Sequence, residues 1–240
     1  VHSLVLSCEH AGSEIPAGYV HLFASEAARE ALASHRGWDP GALEIAEHLA
    51  EQLSAPLCVQ RVSRLLVECN RSAENPRLWS EFSRALTPPE REAVLLHHWS
   101  AHRSAVRETV ARAIGVDRRE AAVVHVGVHT FTPVWQGQVR ATQVGILYDP
   151  RRPDEAKFAR RWKAGLERSS AWRGVRVHLN RPYRGWTDGL TTTLRSELSE
   201  ADYLGIELEV SQALVPLAQA QAEALARTLA SSLAGRSATT

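Results

Sequence analysis

Seven short apolar runs set the frame for this chain: 3–7 (SLVLS), 56–62 (PLCVQRV), 65–69 (LLVEC), 121–128 (AAVVHVGV), 142–148 (TQVGILY), 175–179 (VRVHL) and 204–210 (LGIELEV). Their length and near-continuous apolar character read as strands of a sheet covered on both faces. Helical periodicity fills the spaces between them, over 26–34, 40–53, 88–114, 154–167 and 211–233. The alternation predicts an α/β fold. We expect a single three-layer domain over 1–240, a mixed and largely parallel sheet flanked by helices, with 236–240 a frayed tail. In open sheets of this kind ligands gather beyond the carboxyl ends of the strands. His10, Asn70, Arg71, His129 and Asn180 each stand just after one of the runs.

Several helix ends are legible. Asp39-Pro40 fits an N-cap followed by proline, and the acids of TPPERE, 87–92, suit a helix start. Leu217, Leu225, Leu229 and Leu233 lie on roughly one face of the last helix, which reads as core packing, with Gly235 as its stop.

Composition excludes several partners. Lys+Arg 28 against Asp+Glu 27 leave a net charge of +1, so no global field draws the chain to nucleic acid or to an acidic membrane surface. No apolar stretch is long enough to cross a bilayer, and the N-terminus lacks the layout of a secretory signal. Three cysteines, Cys8, Cys58 and Cys69, show no CxxC spacing and make neither a disulfide framework nor a cysteine zinc site. A cytoplasmic protein is expected.

The candidate chemistry lies in five stretches. His10, in SCEHAGSEIP, has no carboxylate three residues on, where Ser13 stands, so an acidic co-ligand for any metal must come from elsewhere. His125 and His129 are four apart, but the β-branched surroundings argue for a strand, where about 13 Å separates them. They cannot share one ion easily, and His129, at the strand end, is the better ligand; a hydrogen-bonded loop histidine is the alternative. Asp39, in HRGWDPGA, is either a helix cap or a ligand. In SRLLVECNR, Arg64, Glu68, Asn70 and Arg71 read as a carboxylate clamp or as surface ion pairs. Glu207 and Glu209 share an apolar strand and are assigned to opposite faces, one as a general base and the other in an ion pair, because an unpaired buried charge is costly.

Taken in order, SCEHAGSEIP, HRGWDPGALEIAEHLA, SRLLVECNR, VHTFTP, GQVRATQVGILYD, NRPY and GIELE resemble the N-formylglutamate amidohydrolase family. The resemblance spans nearly the whole chain. It implies a fold akin to metallocarboxypeptidases and aspartoacylases, one zinc ion and a small acidic substrate. It further implies His10, His129 and Asp39 as metal ligands, with Glu9 or Glu14 as the other possible carboxylates, and Glu207 as the residue that activates water. Asn70 and Arg71 match the substrate clamp, Arg64 and Arg140 are candidates for substrate or transition-state contact, and His102 matches a family position at the substrate.

Three positions depart from the family pattern. Glu68 replaces an aspartate, NRPY with Arg181 replaces NEPY, and ELE with Glu209 replaces EIR. The last two changes are opposite in sign, so an exchanged ion pair between Arg181 and Glu209 is expected. The implied reaction is hydrolysis of the amide of an N-acyl amino acid to formate and the free amino acid. Carboxypeptidase-like cleavage of a small peptide and metal-free binding of an acidic metabolite are the rival readings.

Overall fold

The computed structural model of the chain describes residues 3–116 and 122–234. Among them, eight strands form: β1 (Leu4–Cys8), β2 (Leu57–Val59), β3 (Val123–Phe131), β4 (Val134–Trp135), β5 (Gln138–Val139), β6 (Val144–Leu147), β7 (Val177–Leu179) and β8 (Tyr203–Ser211). The helices are α1 (Glu26–Ala33), α2 (Ala42–Leu53), α3 (Pro88–Val94), α4 (Ala101–Val116), α5 (Pro153–Arg168), α6 (Leu190–Glu197) and α7 (Gln219–Ala234). Six strands make one sheet in the order β2-β1-β3-β8-β6-β7, and β4 and β5 make a separate hairpin. Every neighbouring pair in the large sheet is parallel except β8 with β6. The α/β fold and its mixed, largely parallel sheet are as expected.

Side-chain alternation divides the sheet. Leu4, Leu6, Val124, Val126, Val128, Leu204, Ile206 and Leu208 enter one core with the apolar faces of α2, α5 and α7. Residues of opposite parity point to the other face, where Val5, Val123 and Tyr203 pack on α4 and α6. That second face is apolar only at its amino end. Toward the carboxyl ends of β1, β3 and β8 the same parity delivers Ser7, Glu9, His125, His129, Glu207 and Glu209. Polar groups on an interior face need partners or a task, and this is where the site forms.

Four expected elements change. The run 65–69 is not a strand: Leu66 N donates to Ser63 O and Glu68 N to Leu78 O, and Leu65, Leu66, Val67 and Cys69 are buried with Phe23, Leu78 and Val94 in a second core. A short apolar run signals burial and does not tell a strand from a packed turn. The last helix begins at Gln219, since β8 runs to Ser211, a 3-10 turn follows over Gln212–Leu214, and Pro216 bars the helix from Val215. Leu225, Leu229 and Leu233 are buried on one face of α7, while Leu217 packs on the same core from outside the helix. The long helix 88–114 is interrupted by a π-helical segment, Leu95–Ser100. The fourth change is α6, which the sequence reading lacks. The stop at Gly235 and the tail 236–240 lie outside the described residues.

Candidate metal centre and substrate cleft

The turn after β1 brings His10 beside Asp39 through the backbone, Asp39 N donating to His10 O at 2.9 Å. The helix that should begin at Pro40 begins at Ala42, with Gly41 in a left-handed conformation (φ +83°) as its N-cap. Glycine is required there twice over, because a Cβ would also sit 1.9 Å from Val215. The consequence is chemical: α2 has no side-chain cap, and the Asp39 carboxylate is free to face the sheet.

It faces two histidines. Asp39 Oδ2 lies 3.2 Å from His10 Nδ1 and 3.1 Å from His129 Nδ1. Ligand atoms of the three buried residues fall within 4.8 Å of one another. The far nitrogens are already held. His10 Nε2 is 2.6 Å from Glu68 Oε1 and His129 Nε2 is 3.2 Å from Glu9 Oε2. Carboxylates on the Nε2 atoms fix the ring orientations and leave both Nδ1 atoms turned inward, the arrangement that outer carboxylates give metal-binding histidines. With both Nε2 atoms protonated, the two Nδ1 lone pairs and the Asp39 carboxylate would meet on a cation between them. The donor set, two imidazoles and a carboxylate, suits zinc.

Electrostatics agree with that geometry. Burial pushes the Asp39 carboxyl up, yet His10, His129 and Arg64 outweigh it and hold it well below the usual range. Glu68 is likewise held down against burial by Arg64 and His10, and Glu9 by hydrogen bonds with His102 and His129. His129 is held well above the ordinary histidine range, burial being overcome by Asp39 and Glu9. The centre is a buried cluster of anions organised to hold positive charge. His125 is outside it: wholly buried between Ser7 Oγ and Tyr203 Oη, each at 2.8 Å, it is pushed down to about 4 by burial. As expected, His125 and His129 do not share a site.

The centre opens on a cleft of about 1240 Å³ lined by His10, Asp39, Arg64, Asn70, Arg71, His129, Arg140, Glu207 and Glu209, among others. Glu207 and Glu209 both face it. Residues two apart on a strand share a face, which corrects their assignment to opposite sides. Glu207 is half-buried, and its Oε1 accepts a hydrogen bond from Thr191 Oγ1 at 2.9 Å. Asn70 Oδ1 accepts from Leu190 N at 2.8 Å, pinning the start of α6, while Asn70 N donates to Glu68 Oε1. Arg71 donates to the Asp188 carbonyl. Arg140 lies over the rings of Phe131, Trp135 and Tyr183 and donates to Tyr183 Oη at 3.0 Å. Among the described residues neither Arg71 nor Arg140 has a carboxylate within 4.0 Å.

Other expectations are corrected. His102 is not at the cleft; it is buried behind Glu9, 3.5 Å from Glu9 Oε1, because α4 carries it beneath the strand ends. Arg64 does line the cleft as expected of a contact residue, and its guanidinium is also engaged, Nε donating to Glu68 Oε2 at 2.8 Å and Nη1 to Asp39 Oδ1 at 3.2 Å. Arg181 and Glu209 form no ion pair: Arg181 is exposed and Glu209 buried. Glu14 is exposed, away from the three ligand atoms, and Glu9 reaches the centre only through His129. Sequence reasoning missed Thr191, on an unrecognised helix, and Arg103. The buried Arg103 donates to Cys69 O and Arg71 O and to Thr193 Oγ1, tying the clamp loop to α6.

Such groups, gathered where strands of a mixed α/β sheet end, suit a hydrolase. The family model for N-formylglutamate amidohydrolase matches residues 2–215, and the chain belongs to that family. It is an amidohydrolase. Among solved structures, the gene product Atu2144 from Agrobacterium tumefaciens is 31% identical with a TM-score of 0.80, over 98% of this chain and 91% of that one. N-formylglutamate amidohydrolase from Ralstonia eutropha JMP134 is similar at 17% identity and a TM-score of 0.65, over 97% and 92% of the two chains. Among curated protein sequences none matches.

Proposed function

We propose that this amidohydrolase is zinc-dependent and cleaves the linear amide of an N-acyl amino acid of the N-formylglutamate kind, releasing formate and the amino acid. The observation that carries the reading is the convergence of His10, Asp39 and His129, each nitrogen and oxygen oriented by an outer partner. These three residues would hold the ion. When bound, zinc supplies Lewis-acid polarisation of the amide carbonyl and acidifies water toward neutrality.

The remaining steps belong to the chain's own groups. Glu207, held by the Thr191 hydroxyl, takes a proton from the attacking water and returns it to the leaving nitrogen, so that one water is consumed for each C–N bond broken. Arg71 and Arg140, free of carboxylate partners among the described residues, grip the substrate's α-carboxylate, and Asn70 holds the start of α6. Arg64 serves by holding Asp39 and Glu68 in place, a positioning task. Cys8, Cys58 and Cys69 are all free, which suits work in a reducing, cytoplasmic setting.

The test is formate release from N-formylglutamate, compared with amine release from other N-acyl amino acids and from small peptides. The reading expects N-formyl amino acids to be turned over with the highest kcat/KM. Preferential turnover of peptides would replace it with the carboxypeptidase-like alternative.

A further inference from the structure

Among the described residues, Glu209 is the one cleft carboxylate whose buried oxygen has no protein partner. The residue is 5% exposed, and Oε2 is buried without any hydrogen bond. A buried polar atom left unpaired costs about 1–3 kcal/mol and in a native fold calls for an explanation. The neighbours on each side do not supply one. On β3 the register partner of Glu209 is His129, whose two nitrogens are taken by Asp39 and Glu9. On β6 it is Gly145, where a Cβ would lie 2.1 Å from Arg181 O, so the backbone passing over Gly145 closes that flank. What remains open to Glu209 is the cleft.

We infer that Glu209 is a specificity-determining residue that accepts a hydrogen bond from an N–H group at the end of the substrate's side chain, so that the cleft prefers N-formyl amino acids ending in an amide to those ending in a carboxylate. This rests on the N-acyl amino acid reading above and narrows it. The donor inventory supports it. The guanidiniums of Arg71 and Arg140, which have no carboxylate partner among the described residues, line the same cleft and can take the α-carboxylate, leaving Glu209 to the rest of the substrate. A second substrate carboxylate placed against Glu209 would bring acceptors only and leave Oε2 without a donor. A carboxamide would satisfy Oε2, and a site with a buried acceptor rejects the analogue that lacks the donor.

N-formylglutamine and N-formylglutamate differ only in that terminal group. Their kcat/KM values should be measured for the zinc-loaded full chain and for Glu209→Gln and Glu209→Asp, with calorimetric binding of the products glutamine and glutamate as a second readout. The expected result is a wild-type preference for the glutamine compound of at least about tenfold, which Glu209→Gln shrinks by a similar factor in both turnover and product binding. Glu209→Asp, which keeps the carboxyl and withdraws it by one methylene, should fall between. Cleavage of both substrates with a ratio that neither variant moves overturns this inference alone, as does a wild-type preference for glutamate. Cleavage of neither overturns the N-acyl amino acid reading and this inference with it.

Discussion

Asp39 shows how much a single residue's role depends on where its helix starts. The dipeptide Asp39-Pro40 permits a cap or a ligand, and the left-handed Gly41 decides the matter by moving the helix start to Ala42. Glu207 carries the chemistry in the proposed reaction, and Glu207→Gln should lower kcat by about 10²- to 10⁴-fold while KM stays within a few-fold, as steady-state kinetics would show. An equal loss through KM alone would make Glu207 a binding residue. Glu209 gives a pH effect of definite sign. Burial and the nearby Asp39 and Glu207 raise its pKa from 4.5 to about 8, so the folded state keeps a proton that the unfolded chain loses. Stability from this group is full below pH 4.5 and is lost as pH rises through about 8. Denaturant midpoints of the metal-free chain should therefore decline less over that window in Glu209→Gln, and identical pH profiles would contradict it. At this scale the sequence carried His10, His129 and Asp39 as candidates. It did not carry Glu68 as the partner of His10, because that bond joins residues 58 apart that meet only through tertiary packing.

Among the elements, α6 and the irregular segment between β2 and α3 were the hardest to read, and both matter to the site. Three consecutive threonines, Thr191–Thr193, mask α6 by lowering helix propensity, although Leu190 and Leu194 keep helical spacing and both are buried. Those threonines are used: Thr191 holds Glu207 and Thr193 receives Arg103. Asn70 accepts from the first N–H of α6, so Asn70→Ala should cost about 1 kcal/mol of stability, the size of a lost helix cap, in urea denaturation. No change in midpoint would mean that water replaces the bond without loss. The strands were legible where apolar runs also pair, as in β3 and β8, and misleading at 65–69, where burial comes from α3 and the chain near Leu78 instead of from a sheet.

For the molecule as a whole, the three-layer α/β plan followed from periodicity alone, because strands covered on both faces and amphipathic helices leave few other ways to bury apolar surface. Periodicity could not reveal the asymmetry between the two faces. One is a continuous core under α2, α5 and α7, and the other becomes polar toward the strand ends. The first should govern stability without touching chemistry. Leu229→Ala, fully buried on α7, should cost about 2–5 kcal/mol in denaturant unfolding with kcat/KM of the folded enzyme unchanged. A parallel fall in kcat/KM would show that the faces are coupled.

The central claim is that His10, Asp39 and His129 hold one zinc ion on which hydrolysis depends. Its most direct test is a titration of the chelator-stripped protein with zinc, following bound metal and formate release from N-formylglutamine and N-formylglutamate together, in the wild type and in Asp39→Ala. The account predicts that both signals in the wild type rise and saturate at one zinc per chain, and that Asp39→Ala loses tight binding and turnover alike. Undiminished hydrolysis by the stripped protein, or an Asp39→Ala chain that still binds one zinc tightly and turns over at the wild-type rate, would contradict it.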